Sequence, residues 1–120
     1  MTVAGKLQIR PGQAVCVLDL PSGVDLELPA ESGSAAADVA EVVIAFALRL
    51  ADLDGSARPA VDAARRDALA WIAYPKAGRL GTDLNRDVLR DAALRHGVQP
   101  VRQVAIDDTW SALRFRPHDG

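Results

Sequence analysis

The chain of 120 residues has the length of one domain, and we expect a single domain over residues 1–120. A net charge of -2 with 25% charged residues gives no broad attraction to polyanions, so we expect no nucleic acid and no membrane as partners. The longest apolar stretch, residues 35–50, is interrupted by charged side chains and is too short to span a bilayer. A single cysteine, Cys16, and an N-terminus without a continuous apolar core favour a cytoplasmic protein.

Apolar runs of strand length alternate along the chain with helix-periodic segments, a pattern typical of βα units. The near-continuous apolar run at residues 14–20 predicts a central strand that is covered on both faces. Residues 24–28 alternate apolar and acidic side chains, as in a half-exposed or edge strand, and residues 31–37 form a loop or a short helix. Residues 41–48 and 68–75 predict the second and third buried strands.

Two helices are predicted between these strands and after them. The first covers residues 52–67, with Ser56 as its N-cap and Pro59 tolerated in its first turn. The second follows Thr82 or Asp83, either of which can cap it. Its apolar stripe contains Leu84, Val88, Leu89, Ala92 and Ala93.

The last two predicted strands are residues 101–107 and 110–117. Because only Asp108 and Thr109 separate them, they must form a hairpin, and the last strand runs antiparallel. We therefore expect an α/β fold, namely a three-layer, Rossmann-like, mostly parallel sheet with a C-terminal antiparallel hairpin strand. In that arrangement the strand at 110–117 borders the sheet, and its open edge could pair with a second copy to form a homodimer.

The carboxyl ends of the parallel strands should lie along one edge of the sheet, where open α/β sheets bind their ligands. A helix N-terminus at that edge favours a phosphate or carboxylate, and Lys76 and Arg79 would add positive charge. We therefore expect a small anionic ligand as the partner. The candidate ligand-binding residues are Ser22, Lys76, Arg79, Thr82, Asp83, Arg86, Asp108 and Trp110.

A purely structural role for the same residues is the alternative. In that interpretation Asp83 caps the helix, and the Lys76 side chain keeps the corner after the third buried strand in contact with water. Arg86 would then pair with Asp107 or Asp108 and fasten the loops. The glycine spacing of a P-loop or of a dinucleotide fingerprint is absent, which favours the structural interpretation.

No catalytic residue and no metal ligand is predicted. Asp107 and Asp108 would point to opposite faces of a strand, so we expect a turn that bonds its own backbone and no carboxylate pair. Trp110 either covers the rim of a pocket or packs against the preceding strand. His96 and His118 stand apart from any Ser or Cys nucleophile, which argues against a catalytic triad and against a zinc site.

Four segments resemble a bacterial family of small uncharacterised proteins, domain of unknown function 3052. They are KLQIRPGQAVCVLDLPSG, LAWIAYPK, TDLNRDVLRDAALRHG and VRQVAIDDTWSALRF, and they cover most of the chain in the family's order. Gln8 stands where the family usually has glycine, and residues 31–40 depart most from its pattern. The resemblance implies a fold and no activity. The closing hairpin also looks like the second half of a class I methyltransferase sheet, which is an analogy of fold and does not license a function.

We interpret the chain as a Rossmann-like domain without catalytic activity, serving as a small-ligand, anion or protein interaction module with no identified cofactor. The alternative is a minimal or degenerate S-adenosylmethionine-dependent, methyltransferase-like enzyme in which Asp19 and Asp108 contact cofactor or substrate. Against the alternative, the turn at residues 20–23 holds one glycine where such enzymes need a glycine-rich turn. Residues 21–40 also leave no room for a full helix-strand-helix between the first two buried strands.

Overall fold

The structure is a computed structural model that describes residues 1–118, and it has an α/β fold built on one six-stranded mixed sheet. The strands are β1 (Ala14–Leu18), β2 (Gly33–Ser34), β3 (Val42–Phe46), β4 (Leu69–Pro75), β5 (Val98–Ala105) and β6 (Trp110–Pro117). The α-helices are α1 (Val3–Lys6), α2 (Arg58–Arg65) and α3 (Arg86–Arg95). Two 3-10 segments cover Leu50–Asp54 and Lys76–Gly81. None of the described helices has the length and apolar character that crossing a bilayer requires.

The strand order is β2-β1-β3-β4-β6-β5. The first four strands in this order pair in parallel, whereas β6 runs antiparallel to both of its neighbours, β4 and β5. Consequently β5 points in the same direction as β4. The predicted mostly parallel sheet with an antiparallel C-terminal pair is confirmed, and the ends of β1, β3, β4 and β5 share one edge, which we call the carboxyl edge.

Apolar side chains cover both faces of the sheet. Every residue of β3 is buried, as a strand with two covered faces requires. On one face Ile72 and Leu113 belong to a core that includes the apolar sides of α2 and α3. On the other face Trp71 packs with Leu7, which follows α1, and its indole nitrogen donates a 3.0 Å hydrogen bond to the Leu7 carbonyl.

The prediction of a strand at residues 24–28 is wrong. The backbone there bonds locally: the Glu27 amide donates to the Asp25 carboxylate at 2.8 Å, and Glu27 has a φ of 54°. The sheet is extended by Gly33–Ser34, inside the segment expected to be loop or helix. Because β2 is so short, β1 lies close to the border of the sheet. Its side chains pack against the cores on both faces as predicted, but Val15 is the one residue of β1 that is fully buried.

The hairpin is inserted into the sheet in the opposite order from the prediction. β6 lies between β4 and β5, so residues 110–117 do not border the sheet, and β5 does. The burial of the two strands explains the order: β6 is buried over most of its length, whereas β5 exposes Val101 and Arg102. Pro100 and the register shift next to it disrupt the open edge of β5, and both features disfavour pairing with a second copy.

The helix at α2 begins later than predicted. Its N-cap position is Ala57, which makes no side-chain cap, and Ser56 precedes it. Pro59 lies in the first turn as expected, where its missing N–H costs no helix hydrogen bond. Residues 52–54 of the predicted helix belong to the separate 3-10 segment at Leu50–Asp54 instead.

Candidate functional site

Two loops meet at the carboxyl edge: the corner at Pro75 and Lys76, where β4 ends, and the turn at Asp107 and Asp108 before β6. The Lys76 amide donates to the Thr109 carbonyl at 2.8 Å, and Lys76 Nζ donates to the Asp107 carbonyl at 2.6 Å. Asp107 Oδ1 accepts hydrogen bonds from the amides of Thr109 and Trp110 at 2.8 and 2.7 Å. The turn therefore bonds its own backbone, and the two loops form one rim.

A cleft of about 450 Å³ opens at this rim, between the ends of β4 and β5, the beginning of β6 and the N-terminus of α3. We call it the rim cleft. It is lined by Tyr74, Lys76, Ala77, Asn85, Arg86, Gln103, Val104, Ala105 and Ser111. It lies on the face of the sheet that α3 covers, because Tyr74 belongs to the core on that side.

A polar network forms the floor of the rim cleft. Tyr74 and Ser111 are paired across β4 and β6, and both are buried. Gln103 Nε2 donates to the Tyr74 and Ser111 hydroxyl oxygens at 3.2 Å each, and Ser111 Oγ donates to the Val104 carbonyl at 3.2 Å. Arg86 Nη1 donates to Gln103 Oε1 at 3.3 Å, so the guanidinium is joined to the buried hydroxyls through one amide.

The electrostatics of the rim cleft favour an anion. Neither Lys76 nor Arg86 forms a salt bridge with a carboxylate of the described residues. The structural alternative in which Arg86 pairs with Asp107 or Asp108 is therefore wrong, because Arg86 reaches across to Gln103 on β5. The amide groups at the start of α3 add about half a positive charge beside the two side chains.

The 3-10 segment after β4 holds two non-glycine residues in the left-handed region. Ala77 has a φ of 50° and Leu80 a φ of 57°. Each such residue costs about 1–2 kcal/mol, and this kind of strain is common at functional sites. Leu80 is moreover 61% exposed, so little burial of its side chain offsets the strain.

Replacing Leu80 by glycine should raise the free energy of unfolding by about 1 kcal/mol, because glycine adopts a positive φ without a steric penalty. Chemical denaturation would measure the change. Leu80→Ala is the matched control, since alanine removes the leucine side chain but keeps the strained Cβ, and it should bring no such gain. A glycine variant less stable than the parent would contradict the assignment of strain to this position.

Thr82 and Asp83 fasten the loop after β3 to the loop before α3. Thr82 Oγ1 donates to the Leu48 carbonyl at 2.5 Å, and Asp83 Oδ1 accepts from the Leu50 amide at 2.8 Å. Asp83 therefore does not cap α3, and neither does Thr82. Asn85 is the N-cap because its backbone is extended and its side chain accepts an amide hydrogen bond from the first turn.

The other predicted site residues lie outside the rim cleft. Ser22, Arg79 and Asp108 are exposed on three different loops and are absent from its lining. Trp110 is 5% exposed and packs edge-on against Phe46, with the ring centroids 5.2 Å apart. The structure thus places Trp110 in the core on the opposite face of the sheet from the rim cleft.

Sequence reasoning missed the hydroxyl and amide groups of the floor, because it considered only the loops after the strands. Tyr74, Ser111 and Gln103 lie inside strands. One signal was present: Ser111 shares the buried face of β6 with Leu113 and Phe115, and a polar residue in such a series marks a polar contact. Within residues 1–118, no three His, Cys, Asp or Glu side chains are grouped as a metal ion would need.

No protein-family model and no curated protein matches the chain. Similar solved structures include a LepI variant in complex with SAH and a substrate analogue. It is 16% identical to this chain, the match covers 97% of this chain and 39% of that chain, and the TM-score is 0.46. LepI in complex with SAM is 17% identical to this chain, with a TM-score of 0.44. A pericyclic reaction enzyme is also 17% identical, with a TM-score of 0.42, and both comparisons cover 97% of this chain and 39% of the other. This chain thus spans 39% of the length of those proteins. Likeness at these TM-scores carries no argument about function, and membership of the family of domain of unknown function 3052 stays a prediction.

Proposed function

We propose that the chain is a non-catalytic binding module that holds a small organic anion in the rim cleft. The supporting observation is the placement of Lys76, Arg86 and the start of α3 above the buried hydroxyls of Tyr74 and Ser111. The finer description of the fold as three-layered and Rossmann-like belongs to the same proposal. It is supported by α2 and α3 on one face of the sheet and by α1 with its adjoining segment on the other.

The lining of the rim cleft contains both charged and apolar side chains. Lys76 Nζ is already engaged by the Asp107 carbonyl, whereas Arg86 makes one hydrogen bond of 3.3 Å, so the guanidinium is the more available donor. A carboxylate bound there would face Arg86 and the amides of α3. The body of the ligand would lie against Ala77 and Val104. A molecule with one acidic group and a small apolar part fits this lining.

A binding role is favoured over catalysis by the residue types that line the cleft. The set contains no His, Cys, Asp or Glu, the residues that most often act as general base or nucleophile. Tyr74 and Ser111 are the hydroxyl groups present, and each accepts a hydrogen bond from Gln103 Nε2. The geometry therefore supports recognition of a ligand by fixed hydrogen bonds.

Calorimetric titration with benzoate tests this proposal, because benzoate combines one carboxylate with a small ring. We expect saturable binding that weakens at least about tenfold in Arg86→Gln, since a charge-assisted hydrogen bond is lost. Arg95→Gln is the matched control: it removes the same charge from an exposed position in the last turn of the same helix. Binding that is equally strong in both variants, or no saturable binding, would contradict the proposal.

A minimal methyltransferase-like enzyme is the second candidate. It is favoured by the strand order, because an antiparallel strand inserted before the last parallel strand looks like the second half of a class I methyltransferase sheet. The connection from β1 to β3 contains no helix and only the two-residue β2, which leaves the cofactor side of such a site without its usual support. In the same calorimeter, saturable binding of S-adenosylmethionine that is lost in Asp19→Ala would favour this candidate over the first.

A further inference from the structure

A second cleft, of about 510 Å³, lies at the opposite edge of the sheet, where β1, β3 and β4 begin. We call it the arginine cleft. It is lined by Gln8, Arg10, Gln13, Glu41, Arg66, Asp67, Ala68, Leu69 and Arg114. Because it lies at the amino ends of the strands, the function proposed for the rim cleft does not involve it.

The carboxylates of the arginine cleft are already engaged. Asp67 is held by Arg116 through two hydrogen bonds of 3.0 and 3.1 Å, and this pairing holds the pKa of the Asp67 carboxyl below its ordinary value. Glu41 Oε1 accepts the amide of Ala14 at 3.1 Å. Asp67 is therefore ionised at neutral pH and paired with Arg116, and Arg114 lies close enough to lower the pKa of the Asp67 carboxyl further without forming a salt bridge with it.

Three arginines from three distant segments of the chain meet in this cleft. Arg10, Arg66 and Arg114 form no salt bridge with any residue in the range 1–118. Together with Arg116, they place four guanidinium groups beside two carboxylates. The cleft thus has a surplus of positive charge on a chain whose net charge is -2.

Two of these guanidinium groups are fixed by contacts with neutral groups. Arg114 Nη1 donates to Gln8 Oε1 at 2.9 Å, and Arg66 Nη2 donates to the carbonyls of Ala37 and Ala40 at 2.8 Å each. Arg114 Nε is buried and has no acceptor. Because this nitrogen has no accessible surface, a ligand in the cleft would meet the other guanidinium nitrogens and not Nε.

We propose that the arginine cleft binds a phosphate group, either as the free ion or as the end of a small phosphate ester. A phosphate presents several acceptor oxygens in a tetrahedral arrangement, and planar guanidinium groups approaching from separate directions match them. A planar carboxylate would engage fewer of the three arginines. Gln8 and Asp67, both with a left-handed backbone at φ of 65° and 61°, hold Arg114 and Arg116 in place through their side chains.

Calorimetric titration with inorganic phosphate and, separately, with glycerol 3-phosphate tests the inference on the full chain. We expect saturable binding of at least one probe, weakened about tenfold or more in Arg114→Gln and in Arg10→Gln. Arg10 is exposed, so its replacement keeps the test informative if the Arg114 variant fails to fold. Tighter binding of the ester supports a phosphorylated small molecule, and equal binding supports the free ion.

Arg95→Gln serves as the control, and it should bind phosphate as the parent does. Absence of saturable binding of both probes overturns the inference. Phosphate binding that is lost in Arg86→Gln and kept in Arg114→Gln also overturns it, because the ion would then lie in the rim cleft. Since benzoate binding is expected to weaken in Arg86→Gln, and phosphate binding in Arg114→Gln and Arg10→Gln, failure of either proposal is distinguishable from failure of the other.

Discussion

Replacing Trp71 by alanine is expected to lower the free energy of unfolding by about 4 kcal/mol, the largest effect of a single change that the structure predicts. Trp71 is fully buried in β4, where it packs beside Leu7 and Ile9. Alanine would remove a large apolar side chain from a core that cannot close around the gap. Chemical denaturation with two spectroscopic probes would measure the loss.

Trp71→Phe separates packing from hydrogen bonding at this position. It keeps an aromatic ring but removes the indole N–H, so the carbonyl of Leu7 loses its 3.0 Å partner, at a cost of about 1–3 kcal/mol. The loss in Trp71→Phe should therefore be smaller than the loss in Trp71→Ala. A loss below about 1 kcal/mol in Trp71→Ala would show that α1 and the segment after it do not cover this face of the sheet.

Replacing Leu89 by alanine should cost about 3 kcal/mol of unfolding free energy, the second largest effect. Leu89 is fully buried where α3 packs on the sheet, and alanine leaves a cavity there although it favours the helix itself. The same change should weaken benzoate binding, because α3 carries Arg86 into the rim cleft.

Leu94→Ala is the matched control for Leu89→Ala. Leu94 lies on the same helix but is 37% exposed, so its replacement should cost less than about 1 kcal/mol. Both variants are measured by chemical denaturation and by calorimetry with benzoate. Equal losses at the two positions would contradict the assignment of the buried face of α3.

The strands that the sequence predicted well are those whose signal is local. Residues 110–117 form β6 with the predicted bounds, and β3 and β4 lie within the apolar runs at 41–48 and 68–75. Burial on both faces makes such runs almost continuously apolar, so the pattern is strong. Residues 24–28 show the limit of this reasoning, since alternation alone does not supply the neighbouring strand that a sheet hydrogen bond requires.

Predicting the order of the strands in the sheet requires information that no single segment of the sequence contains. The spacing between residues 107 and 110 predicts a hairpin but does not say which of its strands joins β4. The total burial of the two strands decides it, with Phe115 buried on β6 and Arg102 exposed on β5. This ordering brings Ser111 next to Tyr74 and so creates the floor of the rim cleft.

The rim itself followed from the direction of the strands, whereas the details of the site did not. Thr82, Asp83 and Asn85 are all good capping residues in sequence, and backbone geometry selects the last of them. The arginine cleft could not be predicted either. Arg10 and Arg114 are far apart in the chain, and only the folded sheet brings them together.

The central claim is that the carboxyl edge gathers the binding groups into one cleft, and an NMR titration of the labelled protein with benzoate tests it most directly. The account predicts that the amide signals that move most, and together, belong to Lys76, Ala77, Asn85, Arg86 and Gln103. Movements concentrated instead on the turn at residues 19–23, or around Arg66 and Arg114 at the other edge, would contradict it.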